Sequence, residues 1–270
     1  MNDPSPLPNT SAPEGFRPLP EFVHAAKFLT RLPIPFSRTL DPPPLAATMR
    51  MFSVIGALIG CSIGAVLLVG NFIQLPQHLT ALLAVAFGVL VTGALHEDGL
   101  ADTADGLGGG KTRERRLEIM RDSRIGSYGA LALIIAVGAR VACYAALSAQ
   151  SPVAVVAVLA ACQSFSRAMM VDLLWATRPA RLDGLSVYAG QPRRSVAMFA
   201  IAVGFGLTLL AGYYTNFENA VLALGLGLAA TAGIRALAIR LIGGQTGDIC
   251  GAAQVTCEIM MLTAFLATLR

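Results

Sequence analysis

The chain is short of charge. Asp, Glu, Lys and Arg make up 13% of its 270 residues, against 55% for the hydrophobic types. A soluble domain carries roughly a quarter charged residues. With a mean hydropathy of +0.64, the composition excludes an ordinary water-soluble fold. Cysteine chemistry is lacking too. The five cysteines, at 61, 143, 162, 250 and 257, form no CxxC pair, and no histidine stands at zinc spacing. They read as small buried hydrophobes. Residues 1–20 do not read as a signal peptide: they hold six prolines and no apolar run, and read as a disordered tail. The remainder, 21–270, reads as one integral-membrane domain. The sequence pI near 9.0 does not indicate a nucleic-acid partner, because the basic residues have a topological use.

What is present is apolar and periodic. Seven segments of about 20 residues, the length that crosses a bilayer, fall near 51–73, 78–96, 126–149, 153–176, 195–215, 219–241 and 252–269. The expected fold is therefore all-α, a polytopic membrane helix bundle of about seven transmembrane helices. A short amphipathic helix over 21–36, ended by Pro33 and Pro35, precedes it and suits a membrane surface. Gly56, Gly60 and Gly64 form a small-xxx-small row that permits close helix contact.

Lys and Arg alternate between linkers. The linkers around 74–78, 150–152 and 216–218 have none. Linker 97–125 has Lys111, Arg113, Arg115, Arg116, Arg121 and Arg124, and linker 177–194 has Arg178, Arg181, Arg193 and Arg194. Lys27, Arg31, Arg38 and Arg50 flank the first segment. By the positive-inside rule the basic linkers and the N-terminus are cytoplasmic and Arg270 is not.

One stretch breaks the apolar pattern: HEDGLADTADGLGGGKTRERRLEIMRDSRIG, from His96 to Gly126. On a helix, Asp98, Asp102 and Asp105 fall at roughly 0°, 40° and −20°, a single stripe. Like charges at these spacings repel, so a cation is expected among them. Mg²⁺ is the first candidate, since it is commonly held by a few carboxylates together with substrate phosphates. His96 points about 160° away from Asp98 on the same wheel and reads as structural. The glycines at 106, 108 and 110 read as a flexible break before the next helix. Gly110-Lys111-Thr112 resembles the end of a P-loop, but Asp105 stands where its first glycine belongs.

A second informative stretch is Gly243-Gly244-Gln245-Thr246-Gly247-Asp248, between the last two segments. Its glycines allow close backbone approach, and successive amides there can cradle phosphate oxygens. Gly244, Gln245, Thr246, Gly247 and Asp248 are thus candidate substrate contacts. Arg121 and Arg124 join them, because guanidinium forks suit phosphate. Arg113, Arg115 and Arg116 read as topological. Within the membrane, Arg140, Arg167, Asp172, Arg235 and Glu258 are costly enough to be paired or functional.

HEDGLADTADG, EIMRDSRIGSYG, the upstream FLTRLPIP and the late GGQTGD together resemble the cobalamin synthase family, the adenosylcobinamide-GDP ribazoletransferases, over about residues 21–265. The resemblance implies an integral inner-membrane, Mg²⁺-dependent enzyme of the bacterial cell with its active site toward the cytoplasm. Its substrates would be adenosylcobinamide-GDP and α-ribazole or its 5′-phosphate. The ribose 3′-hydroxyl would attack the cobinamide-side phosphate, giving adenosylcobalamin or its 5′-phosphate and releasing GMP. Asp98, Asp102 and Asp105 would be metal ligands. An aspartate not engaged with metal, or Asp122, would take the hydroxyl proton. Glu97 departs from family members that have an apolar residue there. An oligomer is compatible with all of this.

Two alternatives stand beside it. Membrane CDP-alcohol phosphotransferases also use an aspartate-rich helix, but their alanine–arginine pair after the second Asp-Gly is missing after Asp105-Gly106. A carboxylate-lined ion transporter would instead place its acidic groups near the midplane and show internal repeats.

Overall fold

The computed structural model describes residues 15–34 and 43–267. Most of the expected tail, residues 1–14, and Pro35 lie outside the described residues. Helix α1, Pro18–Leu29, begins inside the stretch read as tail and ends well before Pro33. Its start is set by proline at the first helical positions, where no backbone donor is needed.

The first long apolar run, Leu45–Phe72, comprises α2 (Leu45–Thr48), a tight 3₁₀ turn (Met49–Met51) and α3 (Phe52–Phe72). Next come α4 (Gln77–Thr92), α5 (Leu95–Gly109) and the short α6 (Arg113–Ile119). The rest is α7 (Ser127–Leu147), α8 (Pro152–Ala176), α9 (Leu185–Ala189), α10 (Arg194–Tyr214), α11 (Phe217–Ile242) and α12 (Gly247–Ala267). The described residues contain no strand beyond an isolated bridge between Pro179 and Gln245. The all-α expectation holds.

Helix α8 is the central post, buried along nearly its whole length and packed against α3, α10 and α12. The glycine row is what lets α3 approach it: a side chain at Gly56 or Gly60 would run into the α8 backbone at Gln163 and Leu159. The outer faces carry large apolar side chains such as Leu90, Leu131, Ile134 and Ile135, the surface expected of a helix bundle in lipid. The chain is a multi-pass membrane protein.

Six helical runs are long and apolar enough to cross a bilayer. The segment expected at 78–96 is the exception. It stops at Thr92, and α5 leaves at 92° to α4. Gly93 and Ala94 both take left-handed backbone angles, with φ of 65° and 58°, which closes α4 and restarts the chain in a new direction. The stretch read as a linker from residue 97 is thus mostly helix, and the glycine run stays helical to Gly109.

Helix α4 still crosses. Met49 and Phe52, at the start of the first run, share a cavity wall with Asp98 and Asp248. At the far end of α3, Asn71 donates to the Ser148 carbonyl at 3.0 Å, and Gln77 at the start of α4 donates to the Ser148 hydroxyl at 3.0 Å. The chain therefore leaves the Asp98 end through α3 and returns to it through α4, making seven traverses in all. Linkers 97–125 and 177–194 and the 243–246 turn meet at that same end. There Arg113 donates to the carbonyls of Ile242 (2.7 Å) and Ala180 (2.6 Å), and Arg116 to that of Leu241 (3.3 Å). These arginines, read as topological, cap the open carbonyls of α11.

Candidate active site

The site is built where α5 crosses α12. Gly99 and Gly251 meet at the crossing: a Cβ on Gly99 would lie 2.9 Å from the Asp248 carbonyl and 3.2 Å from the Gly251 Cα. Only glycines permit this approach, which sets Asp98 and Asp102 of α5 beside Asp248 in the first turn of α12. Asp248 accepts from the Thr246 hydroxyl at 3.1 Å, and that hydroxyl accepts from the Ile249 amide at 3.3 Å. Arg181, from the linker after α8, reaches Asp248 at 3.5 Å. The remaining N–H groups of that guanidinium, on Nε and Nη1, are buried and make no hydrogen bond.

The charge balance is incomplete. Helix α5 lies outside the spanning segments, and its Asp102 carboxyl is pushed up to about 7, first by burial and then by the charges of Asp98, Asp248 and Asp105. Such a group favours the proton-bound folded protein. Its contribution is full below the unfolded value of about 4 and is lost as pH rises through about 7. Asp102→Asn removes that loss. In metal-free buffer the variant is expected to melt at the parental temperature near pH 4 and about 2–4 °C higher above pH 7. That rise reflects about 1 kcal/mol after discounting for solvent screening. Equal melting temperatures at both pH values would dismiss the repulsion.

The third member of the expected stripe is turned elsewhere. Both Asp105 oxygens accept backbone amides, from Gly126 at 2.7 Å and Gly129 at 2.9 Å, so Asp105 caps the start of α7. Among the described residues, no three His, Cys, Asp or Glu side chains are grouped closely enough to hold an ion unaided. The GGQTGD turn also departs from the cradle expected of it. The Gln245 amide donates to the Arg178 carbonyl at 2.9 Å, and the Ala180 amide donates to the Gln245 carbonyl at 2.8 Å. A side chain at Gly244 would strike the backbone of Arg178–Ala180, so this glycine serves loop pairing. Gly247 and Asp248 do line an open cavity.

Arg121, Asp122 and Arg124 lie apart from this group. Arg124 grips Asp122 at 2.7 Å, and its hydrogen bonds hold the Asp122 carboxyl down at about 2, a poor proton acceptor. Arg121 pairs with Asp183, which lies 4.0 Å from Arg181. Arg121 therefore joins the site through a chain of alternating charges ending at Asp248.

Beside the carboxylates a cavity of about 640 Å³, counting its mouth and the solvent it opens to, lies among α5, α12, α9, the ends of α1 and α8 and the start of α3. Its walls are mainly apolar, with Asp98 and Asp248 at one side.

Residues 21–266 match the family described as cobalamin-5-phosphate synthase. The chain belongs to the cobalamin-5-phosphate synthase family. Proteins named adenosylcobinamide-GDP ribazoletransferase are similar to it over nearly their whole length. The one from Azorhizobium caulinodans is 47% identical over 90% of this chain and 93% of its own. That from Bradyrhizobium diazoefficiens is 47% identical over 88% and 90%, and that from a Sinorhizobium species 40% identical over 89% and 94%. No solved structure matches the chain. The resemblance read from the four motifs is thereby met, and the family's most charged stretch is the one that builds the crossing.

Of the five charges expected within the membrane of this cobalamin synthase chain, Arg140, Asp172, Arg235 and Glu258 have charged partners, and Arg167 donates to the Gln163 carbonyl. Arg235 pairs with Asp172. Arg140 of α7 bridges Glu97 of α5 and Glu258 of α12, and Glu258 also accepts from the Tyr144 hydroxyl at 3.1 Å and the Gln254 amide at 3.1 Å. Glu97 thus faces the bundle interior, away from the Asp98 side. His96 is buried between that network and the apolar cavity, and lines both. None of the five cysteines is paired. Sequence reading missed Arg181, which looked like one more topological charge, and Gly99 and Gly251, which carried no motif of their own.

Proposed function

We propose that this chain acts as its relatives are named, as an adenosylcobinamide-GDP ribazoletransferase, and that transfer takes place at the α5–α12 crossing. The observation that carries the placement is the meeting of Asp98, Asp102 and Asp248 beside one half-satisfied guanidinium and a mainly apolar cavity. Arg181 holds the pyrophosphate of adenosylcobinamide-GDP through its guanidinium, a planar fork suited to phosphate oxygens. The α-ribazole 3′-hydroxyl oxygen then bonds to the cobinamide-side phosphorus. The bond to the GMP oxygen breaks, and the hydroxyl proton passes to an aspartate of the cluster.

Mg²⁺ fits the donor set. The carboxylates of Asp98, Asp102 and Asp248 offer only oxygen and repel one another, and they are not grouped closely enough to hold an ion unaided, so substrate phosphates or water would complete its shell. Asp98, Asp102 and Asp248 would hold it, and when bound it neutralises pyrophosphate charge. Asp105 acts from behind, fixing α5 to α7. In this reading the site end of the bundle is the cytoplasmic face of a bacterial inner membrane, as the basic linkers suggest.

The test is GMP release by the purified protein in lipid nanodiscs with adenosylcobinamide-GDP, α-ribazole and Mg²⁺. Release that requires all three, matched mole for mole by cobamide product, is expected. Absence of GMP release overturns the reading.

A further inference from the structure

The crossing explains where phosphate is held and leaves the neighbouring cavity without a task. Its floor is aromatic and aliphatic. Phe28 and Phe52 stack at 5.6 Å between centroids, 14° from parallel, with Met49, Met170 and Leu174 beside them. Two buried polar atoms among the lining residues have no partner, the Ser186 hydroxyl and the His96 Nε2. A mainly apolar pocket with a few unsatisfied polar groups is the usual form of a small-molecule site.

Three substrate bases come into question: guanine, the adenine of the adenosyl group and the base of the acceptor. Guanine and adenine each present a polar edge of several donors and acceptors, and burying either among Phe, Met and Leu side chains leaves hydrogen bonds unmade. A benzimidazole-type base is a fused apolar bicycle with one in-plane acceptor nitrogen. Ser186 can donate to that one nitrogen. With the base so placed, the attached ribose lies toward the mouth, where Asp98 and Asp248 stand.

We infer that this cavity is the subsite for the acceptor nucleoside, taking its fused apolar base between the Phe28–Phe52 pair and Ser186 and presenting its ribose to the carboxylates. The inference rests on the transferase reading and adds to it which substrate enters from this side. The adenosylcobinamide-GDP then lies across Arg181, outside the cavity.

The test measures equilibrium binding of α-ribazole and of adenosylcobinamide-GDP separately, to nanodisc protein whose parental GMP release has been established. Ala189, in the cavity wall, becomes Leu to fill it. Ala189→Leu is expected to weaken α-ribazole binding by about tenfold or more while leaving adenosylcobinamide-GDP within about twofold. The second variant, Ser186→Ala, keeps the space open. It is read with α-ribazole against the indole riboside, which has CH in place of the acceptor nitrogen. The parent is expected to prefer the benzimidazole by about tenfold, and Ser186→Ala to abolish the preference.

Unchanged α-ribazole binding in Ala189→Leu, or weakening confined to adenosylcobinamide-GDP, overturns the subsite. So does a parental preference that survives in Ser186→Ala, or a parent that shows none. A parent that releases no GMP overturns the transferase reading instead, before either variant is made.

Discussion

Arg140→Met is expected to destabilise the protein by about 3–5 kcal/mol, the largest loss from a single side chain here. Arg140 is 5% exposed and is the counter-ion for two buried carboxylates, Glu97 and Glu258. Methionine fills similar space and leaves both charges without a cation in a low-dielectric interior. Tyr144 and Gln254 still donate to Glu258, but Glu97 loses the one partner the structure gives it. Thermal unfolding in detergent should show a fall of about 10 °C or more. The triple variant Arg140→Met with Glu97→Gln and Glu258→Gln should recover most of it, since the penalty comes from unpaired charge more than from a lost bond. A parental melting temperature in Arg140→Met alone would show that α5, α7 and α12 are held by packing without the clamp.

The second large effect is on turnover. Asp98→Asn and Asp248→Asn should each lower the single-turnover rate by at least about 100-fold, the scale of several kcal/mol of charge stabilisation removed from the reacting phosphates. Each asparagine keeps the shape of the aspartate, so both variants should fold. Raising Mg²⁺ should partly restore the rate if the lost charge acts by drawing the ion. Asp105→Asn should behave differently. A neutral amide oxygen cannot replace a carboxylate that accepts from both Gly126 and Gly129, and a loss of about 1–3 kcal/mol should appear in the melt. Parental single-turnover rates in Asp98→Asn and Asp248→Asn would remove the crossing from the chemistry.

These different expectations for three aspartates of one stripe mark the limit of what was legible beforehand. The wheel that put Asp98, Asp102 and Asp105 on one side of a helix was sound, because helical periodicity is local and α5 is a helix. Which neighbour each carboxylate meets is tertiary. Asp105 was drawn off by two amides about 20 residues away, and Asp248 took its place from the far end of the chain. The long apolar runs were legible because bilayer thickness sets their length. The break at Gly93–Ala94 was not, since apolar composition continues across it. The GGQTGD string suggested a phosphate cradle from its glycines, yet Gly244 and Gln245 satisfy the backbone at Arg178–Ala180. Glycine content reports close approach without saying what approaches. Arg181 shows the converse: a charge whose place in a basic linker was readable, and whose pairing with Asp248 was not.

The right-angled break after α4 has a consequence for the surrounding lipid. As a straight helix of 16 residues, α4 is about 24 Å long, against a hydrocarbon core of ~30 Å. Its outward face is apolar, with Leu82, Leu83 and Leu90 exposed, so the acyl chains beside it must compress to match it. The bilayer is expected to thin along that wall of the protein, which ends at the turn into α5.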